Sequence, residues 1–157
     1  MNIHIGLSEN SRQAVAAALQ QLLANEYALY TKTRNFHWNV EGIQFASLHS
    51  FFESQYEQLD EFIDSIAERI RALGVYAKAS LSEYAAATTL TESGDMNGNA
   101  IHMLQSLLTD HEAVIRQLRE YADLFGEQYG DEGSTDFVVG LLESHEKMAW
   151  MLRASLR

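Results

Sequence analysis

The sequence predicts an all-α protein: a four-helix bundle with a long middle crossover that carries a short extra helix. Three observations lead there. The 157-residue chain contains no proline, the residue that breaks helices by removing a backbone donor and clashing with the preceding turn. Apolar residues recur every three to four positions in four long stretches, the period of one helix face. Between the second and third stretches, from Val75 to Asn99, that period gives way to turn-forming residues. A connection of that length can join parallel helices, which a tight turn cannot.

The first helix starts after Ser8 or Asn10, either of which can cap it, and runs to about Trp38. Val15, Leu19, Leu22, Leu23, Tyr27 and Tyr30 make its core-facing stripe. The second helix begins near Phe45 to Ser47 and ends at Gly74, a C′ glycine. Its apolar residues Leu48, Phe52, Leu59, Phe62, Ile63, Ile66, Ile70 and Leu73 cover more than one face, as expected of a helix that serves both a core and a subunit contact. In the crossover, Ser80, Ser82, Thr88, Thr89, Thr91, Ser93, Gly94, Asp95 and Gly98 supply turn chemistry, and Ser82 to Ala87 form a short helix. The third helix spans about Ala100 to Gln128 on Ile101, Leu104, Leu107, Leu108, Ile115, Leu118, Ala122 and Phe125. The loop YGDEGST ends it, and Ser134 or Thr135 caps a fourth helix containing Phe137, Leu141, Leu142, Met148 and Leu152.

With 46% apolar residues, residues 1–157 can bury one core and read as one domain. The chain has no cysteine, which excludes disulfides and zinc–thiolate sites. The opening MNIHIGLSEN lacks the cationic start and apolar run of a signal peptide, and no apolar span is long enough for a membrane, so a cytoplasmic protein is expected. Twenty-two acidic against eleven basic residues give a net charge of −11. That charge opposes nucleic acid and anionic membrane and suits cations.

The chemistry concentrates between His37 and Arg69. His37 closes the first helix, a turn through Gly42 follows, and the second helix carries His49, Glu53, Asp64 and Glu68. All five are metal-ligand types. Residues four apart share a helix face, so His49 pairs with Glu53 and Asp64 with Glu68. The fifteen residues from His49 to Asp64 span roughly 22 Å, too far for one ion. They turn the helix only about 60° beyond four full turns, so both pairs face broadly one way. If two copies of the helix pack antiparallel about a two-fold axis near residues 58 and 59, His49 and Glu53 of one chain meet Asp64 and Glu68 of the other. His37 folds back beside His49, and an isologous dimer makes two identical sites. Carboxylates four apart are also common on solvated faces, and a lone His near a helix end often serves terminal carbonyls. Those readings leave unexplained why the five lie among Phe51, Phe52, Phe62, Ile63 and Ile66.

Two blocks, HWNVEGIQFASLHSFFE at 37 to 53 and IDSIAERIRALGVYA at 63 to 77, resemble the Dps proteins, or mini-ferritins, with the family's internal spacing. The resemblance implies a ferritin-like bundle whose ferroxidase site lies between two-fold-related subunits, with His37, His49, Glu53, Asp64 and Glu68 as ligands. Glu53 stands where many members have Asp, and both are hard oxygen ligands. Ligand type alone suits several divalent metals; the resemblance names iron. It implies that Fe(II) is oxidised by hydrogen peroxide, or more slowly by oxygen, and mineralised inside a hollow homododecamer, protecting the cell from oxidative damage. It also implies a pore for iron lined from the acidic turn GEQYGDEGSTD, where Asp131 and Asp136 are the candidates. Asp136 has a plainer reading as a carboxylate in a helix's first turn. DNA binding and compaction is the family's other function, with iron oxidation then secondary. It is disfavoured here, because the residues before the first helix include no Lys or Arg.

His102, His111 and His145 lie in helical pattern without a second ligand type at convincing spacing and read as structural. Tyr56 and the Phe stripe read as packing, whereas Trp38 stands next to His37, near the site. No Glu is followed by His three residues later, so the Glu-x-x-His signature of intrachain di-iron bundles is absent.

Overall fold

The computed structural model describes residues 3–92, 94 and 97–157, and among them the secondary structure is entirely helical. Ser93 and Asp95, two of the expected turn residues, lie outside the described residues. Helix α1 spans Glu9–Asn39, α2 Phe45–Ala72, α3 Leu81–Ala87, α4 Ala100–Asp123 and α5 Glu132–Ser155. Of the two candidate caps for α1 the structure uses Ser8, whose hydroxyl accepts the Ser11 N–H at 3.0 Å.

Helix α2 ends as expected, with Gly74 in the C′ position. Leu73 is its C-cap, and Gly74 takes φ +86° while Val75 N–H returns to the Ile70 carbonyl. That left-handed position favours glycine. A Cβ there would also fall 1.9 Å from Ile3 Cδ1, so the glycine also lets the N-terminal segment pack against the end of α2.

The pairings fix the topology. Arg12 donates to the Leu73 carbonyl and His37 lies against His49, so α1 and α2 are antiparallel. Asn25 bonds Gln117 and Lys32 bonds Asp110, so α4 is antiparallel to α1 as well. Helices α2 and α4 are therefore parallel, as the long crossover allows. Arg119–Glu146 and Arg153–Glu112 pairs join α4 and α5 as a second antiparallel hairpin. The crossover is strapped along α1. Asn25 is hydrogen-bonded to Thr88 and Thr89, Lys32 donates to the Thr91 carbonyl, and Tyr84 stacks on Tyr27 at 4.4 Å. The short helix begins at Leu81, one residue before the expected start, because Ser80 and Glu83 close a reciprocal capping box.

Leu19, Leu22, Phe52, Leu59, Ile66 and Leu118 are among the fully buried core side chains, each worth about 1.5–3 kcal/mol of burial. Ile101, expected in the stripe of α4, is instead 48% exposed. The stretch from 100 to 128 is helical throughout, but Leu124–Gln128 form a π-helical turn. The cap of α5 also differs from expectation. Asp131, not Ser134 or Thr135, is the N-cap: it accepts the Ser134 N–H at 2.9 Å, while Ser134 is fully buried inside the first turn. The described residues contain no helix long and apolar enough to cross a membrane.

Candidate metal centre

His37 ends α1 and His49 lies in the first turns of α2, and the turn through Gly42 (φ +108°) brings their rings into a stack 3.7 Å apart. Each ring is tied to the other residue's backbone. His37 Nδ1 lies 2.7 Å from the His49 carbonyl, and His49 Nδ1 lies 2.8 Å from the His37 carbonyl. A carbonyl oxygen only accepts, so both Nδ1 atoms carry the proton, and in the neutral ring Nε2 is left as the lone-pair nitrogen. Fixing the second nitrogen in this way selects the ring atom that binds a metal.

Glu53 follows one turn later on the same face of α2. It accepts a hydrogen bond from the Tyr56 hydroxyl at 3.3 Å, and the Tyr56 ring meets His37 edge-on at 5.3 Å. Burial, and after it the Glu53 carboxylate, pushes the Tyr56 phenol above its ordinary range, so it remains a donor. Tyr56 reads as packing from the sequence but touches two candidate ligands. The signal was its placement three residues from Glu53. The Arg34 guanidinium lies 5.1 Å from the rings of both Tyr56 and Trp38 and donates to the Tyr30 hydroxyl. Trp38 itself is 61% exposed beside the buried His37.

Asp64 and Glu68 are exposed on α2, and the helix is unbroken from His49 to Glu68. Their separation from the first group is therefore the full roughly 22 Å of helix rise. One chain stacks His37 on His49 with Glu53 one turn further along α2, and keeps Asp64 and Glu68 apart from them; among the described residues no three His, Asp or Glu side chains group around one ion within the chain. Of the apolar residues named around the ligands, Phe52 and Ile66 belong to the core, whereas Phe51, Phe62 and Ile63 are only partly buried. A cleft of about 440 Å³ between α1 and α3, lined by Tyr27, Lys32 and Tyr84 among others, involves none of the five candidates.

Asp136 is exposed in the first turn of α5, but Asp131 is 3% exposed. Both Asp131 oxygens are engaged, Oδ1 with Arg69 at 3.0 Å and with the Ser134 N–H, and Oδ2 with the Ser134 hydroxyl at 2.6 Å. His102 is exposed, whereas His111 and His145 are fully buried and in contact with each other.

The helical order, the crossover and the placement of these ligand types define a ferritin-like protein, and the matching family model, the ferritin-like domain, covers residues 16–157. An uncharacterized low temperature-induced protein of Nostoc sp. is 45% identical over 152 residues, covering 97% of this chain and 85% of the relative. DNA protection during starvation protein 2 of Bacillus anthracis is 35% identical over 142 residues, covering 90% of this chain and 96% of the relative. The crystal structure of the Dps protein of Vibrio cholerae matches with a TM-score of 0.93 at 34% identity, covering 100% of each chain. The chain belongs to the Dps family.

Proposed function

We propose that this protein is the subunit of a hollow homododecamer that oxidises Fe(II) with hydrogen peroxide, or more slowly with oxygen, at sites shared across two-fold dimers, and stores the ferric product inside. The observation that carries this reading is the split ligand set. Two imidazoles with their Nδ1 atoms already committed lie with Glu53 at one end of α2, and two exposed carboxylates lie roughly 22 Å away along the same helix. Antiparallel packing of two α2 helices supplies each half-site with the other. The Vibrio cholerae relative is described as a member of a superfamily of ferritin-like diiron-carboxylate proteins, which supports iron as the substrate.

In this reading His37 and His49 bind Fe(II) through Nε2, and Glu53, held by Tyr56, supplies an oxygen ligand. Asp64 and Glu68 of the partner complete the set, and five ligands leave a position for the oxidant. Each Fe(II) gives up one electron, and two electrons cleave the O–O bond of one peroxide. Oxidation and hydrolysis to a ferric oxyhydroxide release protons, which pass to the surrounding water. Asp136 is the candidate for a carboxylate ring at an iron pore, acting by concentrating cations.

Mixing two inactive variants tests the shared site. Chains with His49→Ala and Glu53→Ala, reassembled with chains carrying Asp64→Ala and Glu68→Ala, regain one intact site per mixed dimer. Demonstrated mixing without any return of peroxide-dependent Fe(II) oxidation would refute it.

The Bacillus anthracis relative is named for DNA protection, and direct DNA binding is the second reading. A net charge of −11 opposes it. Retardation of DNA near physiological salt without free divalent metal would reverse that judgement, whereas retardation only with Mg²⁺ would indicate cation bridging between acidic surfaces.

A further inference from the structure

Four tyrosines form a continuous path from the candidate ligands to the crossover. The Tyr56 ring meets His37 at 5.3 Å, and its hydroxyl donates to Glu53 at 3.3 Å. Tyr30 meets Tyr56 edge-on at 6.1 Å, and Tyr27 lies 6.0 Å from Tyr30. Tyr84 of α3 stacks on Tyr27 at 4.4 Å, with 21° between the ring planes. All of these are ring-to-ring contacts. The path crosses from α2 to α1 and on to α3, and it ends at the cleft between α1 and α3 that Tyr27 and Tyr84 line.

Packing alone does not account for the choice of residue. Phenylalanine would fill nearly the same space without a polar group to satisfy. What the phenol adds is an O–H from which one electron and one proton can be withdrawn together. Charge along the path then sets a direction. The Arg34 guanidinium lies 5.1 Å from the Tyr56 ring and 5.5 Å from the Tyr30 ring, and it donates to the Tyr30 hydroxyl at 2.7 Å. A fixed positive charge makes it harder to take an electron from those two rings. The stacked Tyr27–Tyr84 pair, by contrast, spreads a missing electron over two rings. An oxidising equivalent placed on Tyr56 is therefore drawn outward to the pair.

The chemistry of peroxide creates a use for such a path. Peroxide takes two electrons, and a single bound Fe(II) gives one. Drawn from a ligand, the second electron would damage the imidazoles or the carboxylates that bind iron. Tyr56 is the phenol that touches two of those ligands.

We propose that Tyr56, Tyr30, Tyr27 and Tyr84 form a relay that supplies the second electron to peroxide when one Fe(II) occupies a site, and so moves the oxidising equivalent from the ligands to the α1–α3 cleft. This rests on the iron-oxidation reading above. In the balanced step, one Fe(II), one tyrosine O–H, one peroxide and one further proton give one Fe(III), one tyrosyl radical and two waters. The O–O bond breaks, Fe(II) and the phenol each lose one electron, and the Tyr56 proton leaves along its hydrogen bond to Glu53 for the peroxide oxygen. Tyr56 regains an electron from the Tyr27–Tyr84 pair through Tyr30 and a proton from the Glu53 side. The pair releases its own proton to water in the cleft.

The test uses the assembled protein, loaded anaerobically with one Fe(II) per site and mixed with one equivalent of hydrogen peroxide. Freeze-quench electron paramagnetic resonance should show a tyrosyl radical, and a nitroso spin trap should leave adducts on Tyr27 and Tyr84 when peptides are mapped by mass. Tyr56→Phe should abolish those adducts. Tyr30→Phe, which keeps the ring, should confine them to Tyr56. Tyr84→Phe should change the line shape of the radical while Fe(II) oxidation with Fe(II) in excess is unchanged. Absence of a tyrosyl radical in protein that oxidises Fe(II) with peroxide overturns the relay alone. Adducts on Tyr27 and Tyr84 that persist in Tyr56→Phe or Tyr30→Phe overturn it too, as do wild-type adducts confined to Trp38. Absence of peroxide-dependent Fe(II) oxidation in the wild-type protein overturns the iron reading, and the relay with it.

Discussion

Lys32 of α1 reaches Asp110 of α4 at 2.5 Å with both side chains nearly buried, and the same ammonium donates to the Thr91 carbonyl at 2.7 Å. One residue thus ties the first helix to both the third long helix and the crossover. Burial raises the Asp110 carboxyl, while the Lys32 hydrogen bond and charge pull it down. Replacing Lys32 by Met leaves that carboxyl buried alone and should cost about 3 kcal/mol, the low end for a broken buried pair, because Asp110 can take up a proton. Adding Asp110→Leu should restore much of the loss. Thermal midpoints of the single and double variants check it; a double variant no more stable than the single would show the pair is not the cause.

The reciprocal bonds between His37 and His49 make the two rings one unit. His37→Ala frees the His49 ring as well as removing a ligand, so each single variant should lose most peroxide-dependent Fe(II) oxidation, at least about tenfold. The double variant should lose little more, since residues that act together are non-additive. Stopped-flow oxidation rates for the three variants decide it, and losses that multiply would mean the rings act separately.

Asp131 and Asp136 should separate cleanly. Asp131→Ala removes a helix cap and the charged partner of Arg69, so it should lower stability by about 2–3 kcal/mol with little change in oxidation rate per assembled shell. Asp136→Asn should leave the melting temperature nearly unchanged and slow iron uptake roughly a few-fold at low salt, less at high salt where screening already weakens steering. Uptake equal to wild type at low salt would leave Asp136 as a helix-terminus charge only.

The capping box at α3 makes that helix sensitive to acid. Hydrogen bonds from the Ser80 side chain and backbone hold the Glu83 carboxyl below its ordinary value of 4.5. A carboxylate with a lowered folded pKa contributes stability above its unfolded value, and loses it as pH falls through the folded one. Amide exchange in α3 should therefore accelerate as pH drops below about 4.5 relative to the other helices, beyond the general pH dependence of exchange. Glu83→Ala, which removes the acceptor for the Ser80 N–H, should show the faster exchange already at neutral pH.

The long helices were legible because their apolar period and flanking polar residues are local signals: Ser8 caps α1 and Gly74 closes α2 from positions the chain itself marks. Asp131 was misread because Gly133 and Ser134 look like loop, whereas the cap is set by which side chain reaches the free N–H groups. The separation of Asp64 and Glu68 from His49 could be read by counting residues. The ring-to-carbonyl bonds that commit Nδ1 of His37 and His49 could not, since they depend on how the α1–α2 turn closes. Least legible was the contact among Glu26, His111 and His145, residues on three helices whose relative rotation no local pattern encodes.

The π-helical turn at Leu124–Gln128 has a consequence for how the chain tolerates changes in length. A π turn holds one residue more than the α turn it replaces while the helix on either side keeps its register. Deleting a single residue there should let the turn relax to α geometry and leave Asp131, with its grip on Arg69, where it is. A deletion in the middle of α4, by contrast, would rotate every following residue of the helix by about 100° and turn Leu118 and Tyr121 out of the core. The end of α4 is thus a length buffer, a place where one residue can be lost without disturbing the bundle.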